Sequence, residues 1–173
     1  MPRIPVEIIY MQMAYQTAKL SYAERRRVGC IIVKDEQIVS FGYNGTPHGF
    51  DNACEETETE TVYYENPDIA MDLIEEHGFD CKNGCCTKET TSTKREVLHA
   101  ESNAITKLAK STMTSDGADL YTTTAPCFDC AKLIIQAGIK RVYYSEDYRD
   151  MSGVELLNKA NIEVKEVICW NAE

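Results

Sequence analysis

The order of local patterns from Leu98 onward restricts the fold more than any other feature of the chain. "HAESNAITKLAK" (99–110) repeats apolar residues at helical spacing, and "DLYTTT" (119–124) has the composition of a short strand. "CFDCAKLIIQAG" (127–138) is a second helix pattern, closed by Gly138, a residue suited to a left-handed helix end. "KRVYYS" (140–145), "GVELLNKA" (153–160) and "IEVKEV" (162–167) continue as strand, helix and strand. Strands separated by helix-length connections pair in parallel rather than as hairpins. The pattern therefore predicts a sheet with parallel connections, covered by helices.

The first third of the chain adds a helix and a hairpin. Residues 6–20 place Val6, Ile9, Tyr10, Met13, Thr17 and Leu20 at helical spacing, which predicts a helix burying that face. "VGCIIV" (28–33) is a continuous apolar run, as in a buried strand. "QIVSFGYNG" (37–45) alternates and ends in an Asn-Gly turn signal, and the short "KDEQ" between the two runs makes a hairpin. Residues from about 50 to 96 lose this regularity. We read them as an insertion, with a short helix around 67–77, in a single domain spanning 1–173. A chain of 173 residues is long enough for one domain with a sizeable core.

No apolar run is long enough to cross a bilayer, and the N-terminal "MPRIPVEIIYMQMAYQ" lacks the pattern of a secretory signal. The expectation is an intracellular, cytoplasmic protein. Thiols stay reduced in that compartment, so the 8 cysteines point to metal binding or catalysis rather than to disulfides. Cys30, inside an apolar run, and Cys169, near the end of the chain, read as bystanders. The net charge of −10 opposes binding of a large polyanion such as duplex DNA or tRNA. "ERRRVG" (24–29) is a local basic cluster, either a small-anion site or the solvated end of a helix.

"APCFDC" (125–130) holds two thiols three positions apart. Alone, such a pair is a redox couple, half of a metal site, or two buried thiols. "HAE" (99–101) supplies what a metal site lacks. Both motifs fall at predicted helix starts, where the partial positive charge favours thiolate. His99, Cys127 and Cys130 make a Cys2His ligand set with one position open, as in catalytic zinc sites. Glu101 need not ligate and is free to carry protons. H-x-E followed by P-C-x-x-C is the signature of the zinc nucleobase deaminases. The implied chemistry is attack of an activated water on C4 of a cytosine ring, with Glu101 moving the protons and ammonia leaving.

"VGCIIV", "GYNGTPHGFDNAC", "HAESNAI", "TTAPCFDCAKLIIQAGIKRVYY" and "EDYRD" together resemble the deoxycytidylate (dCMP) deaminase family over residues 8–54 and 97–168. The resemblance implies a three-layer α/β/α fold with a five-stranded mixed sheet flanked by helices. It implies conversion of dCMP to dUMP for thymidylate synthesis, activation by dCTP, inhibition by dTTP, and a homohexamer. It assigns zinc to His99, Cys127 and Cys130, proton transfer to Glu101, and the sugar hydroxyl to Asn44. Ala100 belongs to the same substrate-binding set. The loop containing Gly42, Tyr43, Gly45, Thr46 and Gly49 matches the family's regulatory-nucleotide loop. Glycines there would let backbone N–H groups approach phosphates, with Mg²⁺ offsetting charge. Without a ligand, the same residues are a plain Asn-Gly turn.

Arg26 and Arg27 are placed to clamp a 5′-phosphate, since guanidinium matches phosphate oxygens bidentately. Tyr148 either stacks on the pyrimidine or packs as a surface tyrosine. Some relatives carry a second zinc on cysteines before the first strand and after the regulatory loop. Here Ala23 and Glu24 stand at the upstream positions and only Cys54 remains. Cys54 with Cys81, Cys85 and Cys86 forms either a structural metal site or a set of free thiols. Two other functions share parts of these features. A tRNA adenosine deaminase needs a basic face that this chain lacks. A non-catalytic zinc-binding interaction module has no use for Glu101 beside His99.

Overall fold

The computed structural model describes residues 3–168. In chain order the elements are α1 (Val6–Ala18), β1 (Gly29–Lys34), β2 (Gln37–Tyr43), β3 (Glu55–Tyr63), α2 (Pro67–Glu75), β4 (Asp80–Lys82), β5 (Cys85–Thr93), α3 (Ala100–Leu108), β6 (Asp119–Thr124), α4 (Phe128–Gln136), β7 (Arg141–Glu146), α5 (Ser152–Lys159) and β8 (Glu163–Glu166). Five strands form one mixed sheet in the order β2-β1-β6-β7-β8. β1 is antiparallel to β2 and to β6, whereas β6–β7 and β7–β8 are parallel. The parallel pairs are those connected through α4 and α5, as the strand–helix alternation requires.

Side-chain alternation along β1 divides the core between the two faces of the sheet. Cys30 and Ile32 join Leu120, Val142 and the buried faces of α3, α4 and α5. Ile31 and Val33 point the other way, against Met11 and Ala14 of α1 and the stacked rings of Tyr121 and Tyr143. The architecture is thus helix, sheet, helix, and α/β in class.

The buried face of α1 differs from the one its apolar spacing predicts. Met11, Ala14 and Ala18 are buried, while Val6, Ile9, Met13 and Leu20 are exposed. Close approach is the reason: a Cβ on Gly29 of β1 would lie 2.0 Å from the Ala14 carbonyl oxygen. Contact that tight admits only small residues at Ala14 and Ala18; of the large apolar side chains Met11 is buried, while Val6, Ile9, Met13 and Leu20 turn outward.

The segment read as an insertion builds a second sheet, in the order β3-β5-β4. Its helix, α2, is N-capped by the Asn66 side chain, which accepts from the Asp68 N–H. β3 and β5 pair over nine positions, from Glu55↔Thr93 to Tyr63↔Cys85. Most of this two-stranded ribbon is exposed on both faces, with a small apolar cluster (Ala70, Phe79, Cys86) only at its far end. The strands escaped the sequence reading because "EETETETVY" has no apolar face to alternate.

Cys81 and Cys86 sit directly opposite one another on β4 and β5 and form a disulfide. This departs from the expectation that disulfides are unlikely here. Among the described residues no helix is long and apolar enough to cross a membrane. Cys169 lies outside the described residues.

Candidate metal and nucleotide site

Two helix starts create the centre of the site. His99 is the N-cap of α3 and Cys127 the N-cap of α4, and neither side chain caps its own helix. Both are therefore free to face the gap between the helices. Cys130 lies in the first turn of α4 and is buried. His99 Nδ1 is 3.4 Å from Cys127 Sγ and 3.5 Å from Cys130 Sγ. A tetrahedral zinc ion with bonds of ~2.3 Å to sulfur and ~2.0 Å to nitrogen separates N and S ligand atoms by about 3.5 Å. The three donors thus fit zinc in both type and spacing, and their ligand atoms all lie within 4.8 Å of one another.

Electrostatics favour the same occupant. The Cys127 thiol is pushed down to about 4, chiefly by a hydrogen bond from Cys130 and then by His99. Cys130 is correspondingly raised, because it donates that bond and is buried. One thiolate is therefore present at neutral pH to meet a cation. The hydrogen bond to Cys127 also raises His99, against the opposing effect of burial.

Glu101 lies in the first turn of α3 and is only 4% exposed. Its Oε2 lies 3.6 Å from Cys130 Sγ. Burial raises its carboxyl from an ordinary 4.5 to about 7. A carboxyl poised there gains and loses a proton near neutrality, as general acid–base catalysis requires.

A cavity of about 560 Å³ opens over this centre. His99, Ala100, Glu101 and Cys127 line it, together with Val28, Asn44, Thr124, Ala125 and Tyr148. Arg25, Arg26 and Arg149 also line it, and Ser92 and Thr93 reach it from the end of β5. Arg26 holds Glu146 in a 2.6 Å ion pair, and the Arg149 guanidinium lies 5.7 Å from the centre of the Tyr148 ring.

Asn44 lines the cavity with both ends of its amide engaged. Its Oδ1 accepts from the Val28 N–H at 2.8 Å, and its Nδ2 donates to the Arg26 carbonyl at 2.9 Å. It therefore also joins the end of β2 to the arginine segment.

Other predicted residues are placed differently. Arg27 is not among the cavity-lining residues; its Nε donates to the Ala23 carbonyl at 3.2 Å. Arg25, its neighbour in "ERRR", lines the cavity instead. Consecutive residues in an irregular segment carry no period that would say which one faces inward. Ser92 and Thr93 had no sequence signal either, and Arg149 stood within "EDYRD" without a role assigned to it.

The loop with Gly42, Tyr43, Gly45, Thr46 and Gly49 is not uniformly open. Gly42 lies within β2 beneath α3, where a Cβ would be 2.1 Å from the Ala100 carbonyl oxygen. The Gly45 N–H donates to the Leu98 carbonyl at 3.1 Å, and Thr46 Oγ1 donates to the Asp51 carbonyl at 2.5 Å. Gly49 stands in open space with φ of 96°, which a side chain would strain.

The four cysteines proposed for a second metal do not converge. Cys54 is buried with Ala23 and Val97 at the near end of the ribbon. Cys81 and Cys86 form the disulfide at the far end, and Cys85 is a separate free thiol opposite Tyr63. Eight residue steps of extended strand run from Glu55 to Tyr63, about 26 Å at ~3.3 Å each.

Comparison with known proteins agrees with this geometry. Residues 6–146 match the family described as the cytidine and deoxycytidylate deaminase zinc-binding region. The chain is 35% identical over 167 residues to the deoxycytidylate deaminase of Enterobacteria phage T4, covering 89% of this chain and 86% of that protein. It is 33% identical over 168 residues to ComE operon protein 2 of Bacillus subtilis, covering 96% of this chain and 74% of that protein. The crystal structure of the dCMP deaminase from cyanophage S-TIM5, in complex with dCMP and dUMP, superposes with a TM-score of 0.72 at 34% identity. That match covers 96% of this chain and all of the other.

Proposed function

Because this chain belongs to the cytidine and deoxycytidylate deaminase family with its zinc-binding region, we propose that it hydrolyses dCMP to dUMP and ammonia. One observation carries the reading. A single cavity joins the His99–Glu101–Cys127 centre to three arginines, so a pyrimidine and a 5′-phosphate can be held at once. Two of the three relatives above, the phage T4 and cyanophage S-TIM5 proteins, are named for the same substrate.

In this reading His99, Cys127 and Cys130 hold zinc. When bound, the ion supplies Lewis acidity that brings proton loss from a water into the neutral range. Glu101 takes the proton of the attacking water and delivers it to N3 of the ring as the C4–O bond forms. It then carries the remaining proton of the added oxygen to the 4-amino group as the C4–N bond breaks and the C4 carbonyl forms, leaving a uracil ring and ammonia. Ala100 and Tyr148 bound the base, Asn44 meets the sugar, and Arg25, Arg26 and Arg149 face the phosphate. The net charge of −10 argues against tRNA as substrate.

Regulation completes the proposal: dCTP activates and dTTP inhibits, with Mg²⁺, through the exposed turn around Thr46 and Gly49, in a cytoplasmic homohexamer that feeds thymidylate synthesis. The sequence resemblance supports this. The apolar side chains that α1 leaves exposed (Val6, Ile9, Met13) offer such an assembly a surface to bury. The deciding experiment is ammonia release from dCMP by zinc-loaded protein, with and without each triphosphate. Turnover with sigmoidal kinetics, made hyperbolic by dCTP, is expected. Zinc-loaded protein silent on dCMP overturns the activity, and hyperbolic curves with plain dTTP competition overturn the regulation.

A further inference from the structure

We infer that Glu55, at the foot of the exposed ribbon, is a positioning residue that sets the pocket's preference for a 5′-phosphate; this rests on the dCMP reading above. The segment from Ser21 to Val28 has no regular structure and brings Arg25 and Arg26 to the cavity. Both of its ends are tied to Asn44. The Ser21 hydroxyl donates to the Asn44 carbonyl at 2.7 Å, and the Asn44 side-chain amide holds Arg26 and Val28.

Between these anchors, the backbone N–H groups of Glu24 and Arg25 both donate to one atom, Oε1 of Glu55, at 3.1 and 3.3 Å. Glu55 is the first residue of β3, and its register partner is Thr93, which lines the cavity with Ser92. The foot of the ribbon thus meets the site twice, through Ser92 and Thr93 on one strand and through the arginine segment on the other.

A charged acceptor is suited to this position. Three consecutive arginines repel one another, and a carboxylate oxygen taking two backbone N–H bonds holds their segment in one conformation. Arg26 is already paired with Glu146, whereas Arg25 makes no ion pair among the described residues. Release of the strap therefore acts chiefly on Arg25, one of the cations lining the cavity, and not on Glu101 or the thiols.

The test compares parent, Glu55→Ala and Glu55→Gln as zinc-loaded proteins on dCMP and on deoxycytidine, which lacks the phosphate. Glu55→Ala is expected to raise KM for dCMP about tenfold, with kcat nearly unchanged and deoxycytidine kinetics within twofold of the parent. Glu55→Gln keeps an oxygen acceptor and is expected to restore most of the dCMP KM. Equal damage to both substrates, no change in Glu55→Ala, or a Gln variant as impaired as the Ala variant overturns the inference. Calorimetric affinities for dCMP and deoxycytidine on the same proteins separate it from the activity reading. A parent that binds dCMP without deaminating it sinks the reaction, while the strap is still judged by the ratio of the two affinities. A parent with no preference for dCMP over deoxycytidine overturns the strap, whatever its turnover of dCMP.

Discussion

At the scale of single residues, the centre was legible because its parts are local. His99 and Glu101 share one helix start, Cys127 and Cys130 another, and a helix start aims its first side chains in a fixed direction. Glu101→Gln is nearly isosteric and should keep zinc while lowering kcat by about 10²–10⁴-fold, since an amide cannot relay a proton; metal analysis beside steady-state rates checks both halves. Cys127→Ala or Cys130→Ala should abolish stoichiometric zinc and lower the melting temperature, because metal binding is linked to folding. The raised Glu101 carboxyl has its own signature in zinc-stripped protein. Between pH 4.5 and about 7 the folded state keeps a proton that the unfolded state has lost. Stability should therefore fall as pH rises through that window, by up to about 3 kcal/mol from this group. Denaturant titrations across pH should show the fall flattened in the stripped Glu101→Gln protein. The arginines were less legible: Arg25 rather than Arg27 reaches the cavity because backbone hydrogen bonds to Glu55 and Asn44 orient the segment, and those partners are remote in sequence.

At the scale of elements, apolar runs and apolar spacing located α1, β1, β2 and the elements from α3 to β8, most of which bury apolar side chains. The spacing chose the wrong face of α1, because the helix docks through Met11 and through alanines against Gly29 rather than through Val6, Ile9 and Met13. Gly42 plays the same part on the other side of the sheet, beneath the first turn of α3. A Cβ there meets the backbone of Ala100 and Ala104. Gly42→Ala should cost about 1–3 kcal/mol of stability by forcing α3 outward. It should also weaken zinc binding, since α3 carries His99. Chemical denaturation and a competitive zinc titration would show the two losses together, and a loss of stability with undiminished zinc affinity would mean that α3 moves without its N-terminus.

At the scale of the whole molecule, the five-stranded domain and the ribbon differ in what holds them together. The domain has two buried cores, whereas the far end of the ribbon has one small cluster and the Cys81–Cys86 disulfide. Closing so short a loop contributes about 2 kcal/mol in chain-entropy terms. Mild reduction, or Cys81→Ser, should open α2 and β4 to proteolysis while leaving turnover of dCMP within about twofold; parallel digestion and activity time courses would show this. The ribbon also leaves β3 as an open edge along its whole length, with Glu56, Glu58 and Glu60 on one face and Thr57, Thr59 and Thr61 on the other. An unpaired strand rich in threonine is a template on which further chains can stack into fibrils. The glutamates prevent this: an in-register copy laid alongside would bring like carboxylates within about 5 Å of one another at every second position. The acidic repeat that makes the segment unreadable as a strand is also what keeps that strand from recruiting others, so solubility in a crowded solution is written into the same residues.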